Sequence, residues 1–458
     1  MNHPGGGNGG NGGNGGNGHG GNGNGGQGGS GNGGNGGRPH RRRGGRGRGR
    51  RPGGGNGQNV RGNGGGGGGN GGGGGGGNGG TAVQTPRAPA DSGQRIDVEG
   101  VLEVSDRGGG FLRMQRASYL ASGNDVYLQP GTISRYGLRA GDEITGVAHP
   151  ARGGRGPLLE SVTTIFGREP AAIEKRPDFN RLPATHPTHT LRLTKPGGIP
   201  RGGDVTAAIV DLLVPLGKGQ RCLLVAPAKA GKTTLLTAIA RGIIENQPDA
   251  TVYILLADER PEEVTEMELA NAGEVIASSF DHGADRHVAV AEMTLERARR
   301  RVELGEDVVI ILDSLTRLAR AYNNIDKGSG RTLSGGIGAE ALERPKRFFG
   351  SARAVDPRHG EGSLTIIATA LKDTGSKADE VIFEEFKGTG NSEIVLSREL
   401  ADRRIFPAID VAASGTRREE LLLDPMSLKR AHELRAATAG LPTTKQIEVV
   451  RELLQRGL

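Results

Sequence analysis

Short apolar runs alternate with amphipathic stretches from about residue 204 to the end of the chain. The clearest apolar runs lie at 222–225, 252–256, 308–312, 364–369 and 394–396. Between them, residues 261–270 and 288–304 have the spacing of amphipathic helices. Apolar runs separated by helical patterns are typical of buried parallel strands. We therefore predict an α/β domain with a mainly parallel sheet over residues 197–458.

A different pattern occupies residues 95–165, where short alternating apolar stretches are separated by Gly, Asp, Ser and Asn. This pattern predicts a small all-β domain, a barrel of the oligonucleotide-binding (OB-fold) type. Phe111 and Tyr127, with Arg113 nearby, would suit base stacking on such a barrel. The other interpretation is that both rings are core residues of the barrel, and the spacing alone slightly favours it.

Neither pattern occurs in residues 1–94, which consist of Gly/Asn repeats, an Arg/Gly cluster and a Thr/Pro/Ala stretch. This segment has too few apolar side chains to offset its ordering entropy, so we predict that it is disordered. Its Arg-rich run at 38–51 either aids solubility or makes loose electrostatic contact with RNA, and its composition favours RNA. Residues 166–196 are rich in Pro, Arg and His without a sustained period, and we interpret them as a linker.

The composition indicates a positively charged protein of the cytosol. The 458-residue chain has a formal net charge of +8, which favours a polyanionic partner such as nucleic acid. Much of this charge lies in residues 38–51, so it says less about the folded part. The single cysteine, Cys222, cannot form an internal disulfide, which is typical of a cytosolic protein. No apolar run approaches the roughly 20 residues that a membrane helix needs, so we expect no membrane association.

The chemistry is concentrated at residues 226–233 (APAKAGKT), which lie between a predicted strand and a helical pattern. Strand, tight loop and helix is the context of a phosphate-binding loop, whose backbone N–H groups bind phosphate oxygens at a helix N-terminus. In such a loop Lys232 reaches the outer phosphates of ATP and the Thr233 hydroxyl binds Mg²⁺. Ala226 stands where the pattern has Gly. The alternative, a chance Gly-Lys-Thr turn, does not account for the strand and helix on either side.

Two acidic residues follow predicted strands of the same sheet. Glu259 comes just after the run at 252–256, and Asp313 directly after the run at 308–312. Because ligands bind at the carboxyl ends of strands in such sheets, both should lie near the loop. Asp313 is the candidate for organising Mg²⁺ and Glu259 for polarising the attacking water, which together indicate ATP hydrolysis. The alternative is that each carboxylate only caps the following helix.

Hydrolysis of this kind often uses an arginine from a neighbouring subunit to contact the γ-phosphate. The candidates in the C-terminal part are Arg398, Arg403, Arg404, Arg417 and Arg418. Their spacing does not choose among them.

Four longer runs resemble one known family. They lie at 255–267 (LLADERPEEVTEM), 312–323 (LDSLTRLARAYN), 344–350 (RPKRFFG) and 386–391 (FKGTGN). Together with the phosphate loop, Ala226 included, they resemble the bacterial transcription termination factor Rho family of hexameric, ATP-dependent RNA helicases. The resemblance extends from about residue 96 to the C-terminus. It implies a RecA-like ATPase domain preceded by a cold-shock-like OB-fold domain, ATP and Mg²⁺ as cofactors, and a bacterial cytoplasmic location.

The resemblance also implies roles for individual residues. For ATP binding it indicates Ala228, Lys229, Ala230, Gly231, Lys232, Thr233, Thr234 and Phe406, the last by stacking on adenine. For catalysis it indicates Lys232, Glu259, Asp313, Arg417 as the arginine finger and Arg404 as a second interface arginine. For the metal it indicates Thr233 and Asp313. For RNA it indicates Phe111, Arg113, Asp125 and Tyr127 in the primary site, and Arg331 and Lys377 in two central-channel loops.

The chain departs from the family pattern at two places in the predicted OB-fold domain. Gly109 stands where the family has an aromatic residue, and residues 153–157 replace a strand that usually carries a Glu and Tyr pair. The base selectivity of this site is therefore open. We hypothesise that arginines in residues 1–94 partly offset a weakened primary site.

Together with the residues at the phosphate loop, the resemblance implies a homohexameric, RNA-dependent ATPase that moves 5′ to 3′ along nascent single-stranded RNA and terminates transcription. RNA polymerase and elongation factors are its further expected partners. Two alternatives have other functions. Another ring ATPase, such as a rotary or secretion motor subunit, would share the phosphate loop but not the RNA-binding residues. An RNA-binding scaffold with vestigial hydrolysis would not need Lys232, Glu259 and Asp313 together.

Overall fold

The structure is a computed structural model that describes residues 95–150, 156–195, 204–326, 334–338 and 340–456. The predicted disorder of residues 1–94, and the hypothesis about their arginines, lie outside this part of the chain. Arg331 and residues 153–155 lie outside it as well.

The first domain is a five-stranded barrel that is closed by pairing between neighbouring strands. Its strands are Ile96–Val104 (β1), Gly110–Arg113 (β2), Val126–Leu128 (β3), Glu143–His149 (β4) and Leu158–Ile165 (β5), and helix Pro130–Tyr136 (α1) follows β3. They close in the order β1-β2-β3-β5-β4. Strands β3 and β5 pair in parallel, and the other neighbours are antiparallel. The predicted all-β unit is therefore a closed barrel.

Side chains alternate between the inside and the outside of this barrel. Leu112 on β2 and Val126 on β3 are fully buried in the barrel core. Phe111 and Tyr127, one residue away on the same strands, are half-buried and belong to the outer face. Because side chains have a period of two in a strand, neighbouring residues must point to opposite faces. The interpretation of both rings as core residues is therefore wrong.

The second domain contains a nine-stranded sheet among the described residues. Its strands are Ala184–Thr185 (β6), Arg221–Ala226 (β7), Thr251–Glu259 (β8), Glu274–Ser279 (β9), Asp307–Asp313 (β10), Arg353–Val355 (β11), Ser363–Leu371 (β12), Ser392–Val395 (β13) and Gly415–Thr416 (β14). The central order is β14-β13-β7-β12-β10-β8-β9. All neighbours from β13 to β9 are parallel, whereas β14 is antiparallel.

Helices cover both faces of this sheet. They are Thr206–Leu213 (α2), Lys232–Asn246 (α3), Pro261–Ala270 (α4), Ala284–Glu303 (α5), Leu315–Ile325 (α6), Glu343–Gly350 (α7), Lys377–Lys387 (α8), Arg398–Asp402 (α9), Pro425–Thr438 (α10) and Thr443–Gln455 (α11). Helix α4 has the predicted bounds. Helix α5 begins at Ala284 rather than at residue 288, because its first turn is largely polar and has no apolar period. Across the described residues, none of the helices has the length and apolar character needed to cross a membrane.

The strands are apolar on both faces because the sheet lies between two hydrophobic clusters. On β7, Leu223 and Val225 belong to one cluster, while Cys222 and Leu224 belong to the other. All four side chains are at most 1% exposed. Continuous apolar strands are expected where a parallel sheet is covered by helices on both sides.

The strand register brings the carboxyl ends of four strands to the same edge of the sheet. Leu371 at the end of β12 pairs with Ala226 at the end of β7, and Asp313 at the end of β10 pairs with Leu256 on β8. Strand β8 continues beyond this pair to Glu259. The phosphate loop, Glu259 and Asp313 therefore share one edge, which is called the ATP edge below.

Residues 166–195, predicted as linker, are packed against the second domain. Phe179 and Leu191 in this segment are fully buried, and β6 pairs with β11 of the nine-stranded sheet. The segment contains two short 3₁₀ turns, Pro170–Ile173 and Phe179–Arg181. Turns of this length have no sustained period, so the sequence pattern gave no sign of the packing.

The barrel contacts the second domain through a buried arginine on α5. Arg297 Nη1 is 2.6 Å from Glu274 Oε1 on β9, and its Nε is 2.8 Å from Glu143 Oε1 on β4. The same guanidinium carbon lies 5.0 Å from the ring centre of Tyr119 and 4.6 Å from that of Tyr253. Tyr119 follows β2 of the barrel and donates its hydroxyl to Glu274. A charged network therefore joins the two domains directly.

Candidate functional site

The phosphate-binding loop connects β7 to α3. Lys229 and Gly231 both have left-handed backbone angles, with φ of 63° and 85°. Left-handed residues in a tight loop turn successive N–H groups toward one concavity, which binds anions. Helix α3 begins at Lys232 and adds the positive end of its dipole. The loop can therefore bind phosphate oxygens through its backbone.

Lys232 bridges the two predicted catalytic carboxylates. Its Nζ is 2.7 Å from Asp313 Oδ1 and 3.4 Å from Glu259 Oε1. Glu259 and Asp313 are 1% and 2% exposed, so the ammonium is a close counter-charge for two buried acids. The structure thus brings the three side chains together beside the loop.

The proximity of these charges changes their proton affinities. Burial and the Asp313 carboxylate raise the pKa of Glu259 to about 7, against the opposing effect of Lys232 and Arg317. Burial lowers the pKa of Lys232, but the carboxylates of Asp313 and Glu259 outweigh it, and this pKa is raised overall. Lys232 therefore stays protonated, while Glu259 has the basicity of a group that accepts protons near neutral pH.

Two further residues contact these carboxylates and were not singled out from the sequence. Thr369 on β12 is fully buried and donates its hydroxyl to Asp313 Oδ1 at 2.7 Å. Arg317 on α6 has its Nε 3.2 Å from Glu259 Oε1. The available signal for Thr369 was a polar residue at the carboxyl end of an apolar strand. Arg317 lies in one of the runs that resemble the Rho family, but nothing in its spacing pointed to Glu259.

A cavity of about 410 Å³ adjoins the loop, and its lining includes Lys229, Ala230, Gly231, Thr234 and Phe406. Phe406 is 43% exposed. Its ring lies close to the loop, since a Cβ atom at Gly231 would be 3.3 Å from Phe406 Cε1. Ala228 and Thr234 are exposed nearby, whereas Ala230 is buried. An exposed ring beside a phosphate-binding loop suits stacking on a nucleotide base.

Arg404 and Arg417 lie at different edges of the sheet. Arg404 is exposed and precedes Phe406 by two residues. Arg417 follows β14, whose Thr416 pairs with Ser392 at the amino end of β13. The neighbouring β7 has 6 residues, so Arg417 is roughly 20 Å along the strands from the ATP edge. That separation is too large for Arg417 to contact a phosphate in the loop of its own chain.

Thr233 and Asp313 offer the oxygen ligands that Mg²⁺ prefers. Both hydrogen bonds described for Asp313, from Lys232 and Thr369, fall on Oδ1. Thr233 lies in the first turn of α3, next to Lys232. This donor set fits a magnesium ion that is shared with nucleotide phosphates. Over the described ranges, no group of three or more His, Cys, Asp or Glu side chains is placed to hold a metal.

On the barrel, Phe111 and Tyr127 form an aromatic pair on the outer face. They are directly opposite each other in the β2–β3 register. Their ring centres are 5.4 Å apart and their planes are inclined by 55°. The guanidinium carbon of Arg113 lies 5.2 Å from the centre of the Phe111 ring. Two rings beside a cation form a surface on which single-stranded bases can stack.

Asp125, a predicted RNA contact, is only 4% exposed. Its Oδ2 accepts the backbone N–H of Ser122 at 2.7 Å and pairs with Arg113, and its Oδ1 accepts the Ser122 hydroxyl at 2.7 Å. Arg113 also pairs with Glu103. The structure therefore places Asp125 behind Arg113, where it orients the guanidinium.

The described residues of the two predicted channel loops are in contact. Lys377 is exposed at the first position of α8. Gly335 of the other loop packs against it, because a Cβ atom at Gly335 would be 2.6 Å from Ala378 N and 2.9 Å from the Lys377 carbonyl carbon. Arg331, the predicted basic residue of that loop, lies outside the described residues.

Two family models match the chain. Residues 206–416 match the nucleotide-binding domain of the ATP synthase alpha/beta family. Residues 98–171 match the RNA-binding domain of the Rho termination factor. The two matches cover the ATP edge and the barrel described above.

Curated relatives extend the similarity over most of the chain. A transcription termination factor Rho from Gemmatimonas aurantiaca is 54% identical over 356 residues, which cover 77% of this chain but 48% of the relative. Rho from Cereibacter sphaeroides is 49% identical over 368 residues, or 80% of this chain and 86% of the relative. Rho from Escherichia coli (strain K12) is 52% identical over 347 residues, which cover 76% of this chain and 82% of the relative.

The chain belongs to the transcription termination factor Rho family. Its membership confirms the predicted family and, with the structure, the predicted fold class. A solved ATPase of a bacterial type III secretion system is also similar, at 24% identity and a TM-score of 0.46 over 54% of this chain and 76% of that one. The Rho RNA-binding domain at residues 98–171 argues against the alternative of a secretion motor subunit.

Proposed function

We propose that this Rho-family chain is an RNA-stimulated ATPase that moves along nascent single-stranded RNA and terminates transcription. Family membership confirms the predicted class of function, an ATP-dependent, RNA-binding termination factor. The residue roles, the ring and the motion belong to the proposal. The observation that carries it is the position of Lys232 between Glu259 and Asp313, on a sheet joined directly to a Rho RNA-binding domain.

ATP binds when its phosphates replace the two carboxylates as partners of Lys232. The N–H groups of the loop and the start of α3 contact the phosphates, and the adenine stacks on Phe406. When the ammonium leaves Glu259, that side chain loses a hydrogen-bonding counter-charge and becomes available to a water molecule. The same exchange of partners at Lys232 therefore binds the nucleotide and frees Glu259 to act as a base.

Glu259 then accepts a proton from the water that attacks the γ-phosphorus in line with the leaving ADP oxygen. Mg²⁺ held by Thr233 and Asp313 would neutralise the charge that develops on the phosphate oxygens. Thr369 stays hydrogen-bonded to Asp313 after Lys232 has moved, so the carboxylate keeps its orientation. The products are ADP and inorganic phosphate.

The position of Arg417 supports a ring of identical chains. This arginine lies too far from the loop of its own chain, so it would complete the ATP site of a neighbouring copy as an arginine finger. Arg404, exposed beside Phe406, would contact the same interface. We therefore propose a homohexamer in which each ATP site lies between two chains.

Movement of RNA would follow from the contact between the two channel loops. Because Lys377 begins the helix that follows β12, a strand beside Asp313, a change at the ATP edge can displace it. A basic side chain that moves with each hydrolysis step pulls on a phosphate chain in the pore. RNA polymerase and elongation factors are the further partners we propose, in the bacterial cytoplasm.

The decisive experiment is ATP hydrolysis by the full chain with and without single-stranded RNA, for wild type and Lys232→Ala. We expect RNA to stimulate wild-type turnover and the substitution to lower it on the order of 10³-fold, since a charge that stabilises the transferring phosphoryl group is removed. A melting curve of each protein shows whether the variant is folded.

Two results would contradict the proposal. Turnover that is the same with every RNA would favour a ring ATPase of another kind. Tight RNA binding without any turnover would favour an RNA-binding scaffold.

A further inference from the structure

Asn391 lies at the amino end of the nine-stranded sheet, between the two strands that flank β13. It ends the run 386–391 and directly precedes β13. Its backbone N–H donates to the Arg221 carbonyl oxygen at 3.0 Å, and its own carbonyl oxygen accepts the Arg417 N–H at 2.9 Å. Asn391 therefore joins the start of β7 to the residue that follows β14.

The side chain of Asn391 strengthens this connection. Its Oδ1 accepts the backbone N–H of Arg221 at 2.8 Å and Nε2 of Gln220 at 2.7 Å. Gln220 Nε2 also donates at 3.1 Å to the Asn391 carbonyl oxygen, the same atom that accepts the Arg417 N–H. Gln220 is 1% exposed, so its hydrogen bonds are shielded from water. One asparagine thus holds the backbone of Arg417 against the sheet through both its main chain and its side chain.

The guanidinium of Arg221 is fixed, whereas that of Arg417 is exposed. Arg221 donates from Nε to the Thr389 carbonyl oxygen at 3.0 Å and from Nη1 to the Ala352 carbonyl oxygen at 3.1 Å. Burial and the charge of Arg417 lower the pKa of Arg221, so the two cations lie close enough to repel each other. Because Arg221 is held in place, this repulsion favours orientations in which the Arg417 guanidinium points away from the sheet.

The backbone of Arg417 has little other support from the sheet. Strand β14 has two residues, Gly415–Thr416, and Arg417 follows it directly. A strand of this length supplies few ladder hydrogen bonds, so the bond from Arg417 to Asn391 contributes a large share of what holds this backbone. Misplacement of a reacting group by about 1 Å can lower a rate by about 10²-fold. The reach of the Arg417 guanidinium therefore depends on Asn391.

We propose that Asn391 is a positioning residue for Arg417, the arginine finger of the proposed ring. It sets the place from which the guanidinium reaches the γ-phosphate of ATP bound to the neighbouring chain. Arg221, held by the same asparagine, directs this guanidinium outward. Since Asn391 lies at the end of the sheet opposite the ATP edge of its own chain, its effect on hydrolysis passes through Arg417. This inference rests on the proposed function, in which Arg417 completes the ATP site of another copy.

The test is RNA-stimulated ATP hydrolysis by the full chain in a double-mutant cycle of Asn391→Ala and Arg417→Ala. In the wild-type background, Asn391→Ala should lower kcat by about tenfold to a hundredfold, since the finger is displaced. In the Arg417→Ala background there is no finger to place, so the same substitution should change kcat by less than about twofold. Radiolabelled ATP makes the residual turnover of that background measurable.

Equilibrium binding of a fluorescent ATP analogue separates positioning from a general loss of the site. A finger acts mainly on the charge that develops in the transition state. The affinity of Asn391→Ala for the analogue should therefore stay within about threefold of wild type.

Asn246→Ala is the matched control. Asn246 Nδ2 donates to the carbonyl oxygens of Leu193 at 3.0 Å and Gly242 at 2.8 Å, so this variant also loses two hydrogen bonds between an asparagine amide and the main chain or its neighbours. Neither bond leads to Arg417, and kcat should be unchanged. Melting temperatures and sedimentation velocity check the fold and the ring assembly of every variant.

Gln220→Met keeps the cycle informative if Asn391→Ala does not fold. Among the described residues, Gln220 Oε1 is buried without a hydrogen-bond partner, so methionine, which is of similar size, removes no satisfied acceptor. It does remove both hydrogen bonds from Gln220 Nε2 to Asn391. The fall in kcat should again disappear in the Arg417→Ala background.

Two outcomes overturn the inference and leave the proposed function standing. One is an equal fall in kcat from Asn391→Ala with and without Arg417. The other is an equal fall in kcat from Asn246→Ala, which would show that loss of stability alone lowers turnover. If Arg417→Ala leaves turnover unchanged, the proposed arginine finger fails and the inference fails with it. The RNA-dependent ATPase itself is tested separately by Lys232→Ala.

Discussion

The ATP edge and the outer face of the barrel use charge in opposite ways. At the ATP edge, Lys232 is shared by Glu259 and Asp313, and the proposed reaction requires it to exchange them for phosphates. On the barrel, Arg113 and Asp125 are held by fixed partners, and the surface proposed for bases consists of the rings of Phe111 and Tyr127. A site that works by exchanging charge partners should be sensitive to each charge, whereas a stacking surface should be tolerant.

The largest effect is expected from Glu259→Gln, which removes a charge at the ATP edge and changes little else. Because glutamine cannot accept a proton from water, turnover should fall about 10²- to 10⁴-fold. ATP binding should be retained, since the phosphates contact the loop and Lys232. Steady-state hydrolysis together with equilibrium binding of a fluorescent ATP analogue measures both quantities.

The same carboxyl group predicts the pH dependence of wild type. Its raised pKa of about 7 means that it becomes neutral as the pH falls, and a neutral acid cannot act as a base. The value of kcat/KM for ATP, which reports the free enzyme, should therefore fall roughly tenfold per pH unit below that pKa. Glu259→Gln is the control, because its residual turnover keeps any pH dependence that comes from the nucleotide. If kcat/KM falls over the same acidic pH range in wild type and in Glu259→Gln, the proposed role of Glu259 as the base is contradicted.

A smaller effect is expected at Thr369, which touches Asp313 and not the nucleotide. Thr369→Val keeps the shape but removes the hydroxyl that donates to Asp313 Oδ1. Loss of one buried hydrogen bond should lower turnover by about tenfold. The Mg²⁺ concentration for half-maximal turnover should rise, because the carboxylate proposed to hold the metal is less well oriented.

Thr369→Ser is the matched control, since it keeps the hydroxyl and should restore both turnover and the Mg²⁺ requirement. A purely structural role would change the melting temperature of Thr369→Val without changing its Mg²⁺ requirement. That result would show that the Thr369 hydroxyl does not orient the Asp313 carboxylate for metal binding.

The ATP edge could be predicted largely from the sequence because its parts are local. The loop is one contiguous run, 226–233, between a strand and a helix. Glu259 and Asp313 each end a strand, and parallel strands must place such residues at one edge. The contact of Thr369 with Asp313 depends on which strands are neighbours. No local sequence pattern predicts the order β7-β12-β10.

The barrel face could be predicted less well because its decisive contacts join distant residues. The strands were evident from their period, but the sequence could not show that Tyr127 lies over Gly109. It also could not show that Asp125 is buried behind Arg113, since an acidic residue next to a strand is usually exposed. In the same way, the packing of residues 166–195 became visible only in the structure.

The smallest effect is expected from Asp125→Asn, the same carboxylate-to-amide change as Glu259→Gln. Asparagine can still accept from Ser122, and Arg113 keeps its pair with Glu103. Because Asp125 is buried and the bases stack on the rings, RNA affinity should change by less than about threefold. The melting temperature should fall instead, since the half-buried Arg113 loses one charged partner.

Phe111→Ala provides the matched comparison on the same face. Removing a ring that stacks on a base should weaken RNA binding by about fivefold or more. If Asp125→Asn weakens RNA binding as much as Phe111→Ala while its melting temperature is unchanged, the carboxylate contacts the base directly. The barrel would then recognise bases through charged side chains, as the ATP edge is proposed to bind phosphates. The two regions would no longer differ in how they use charge.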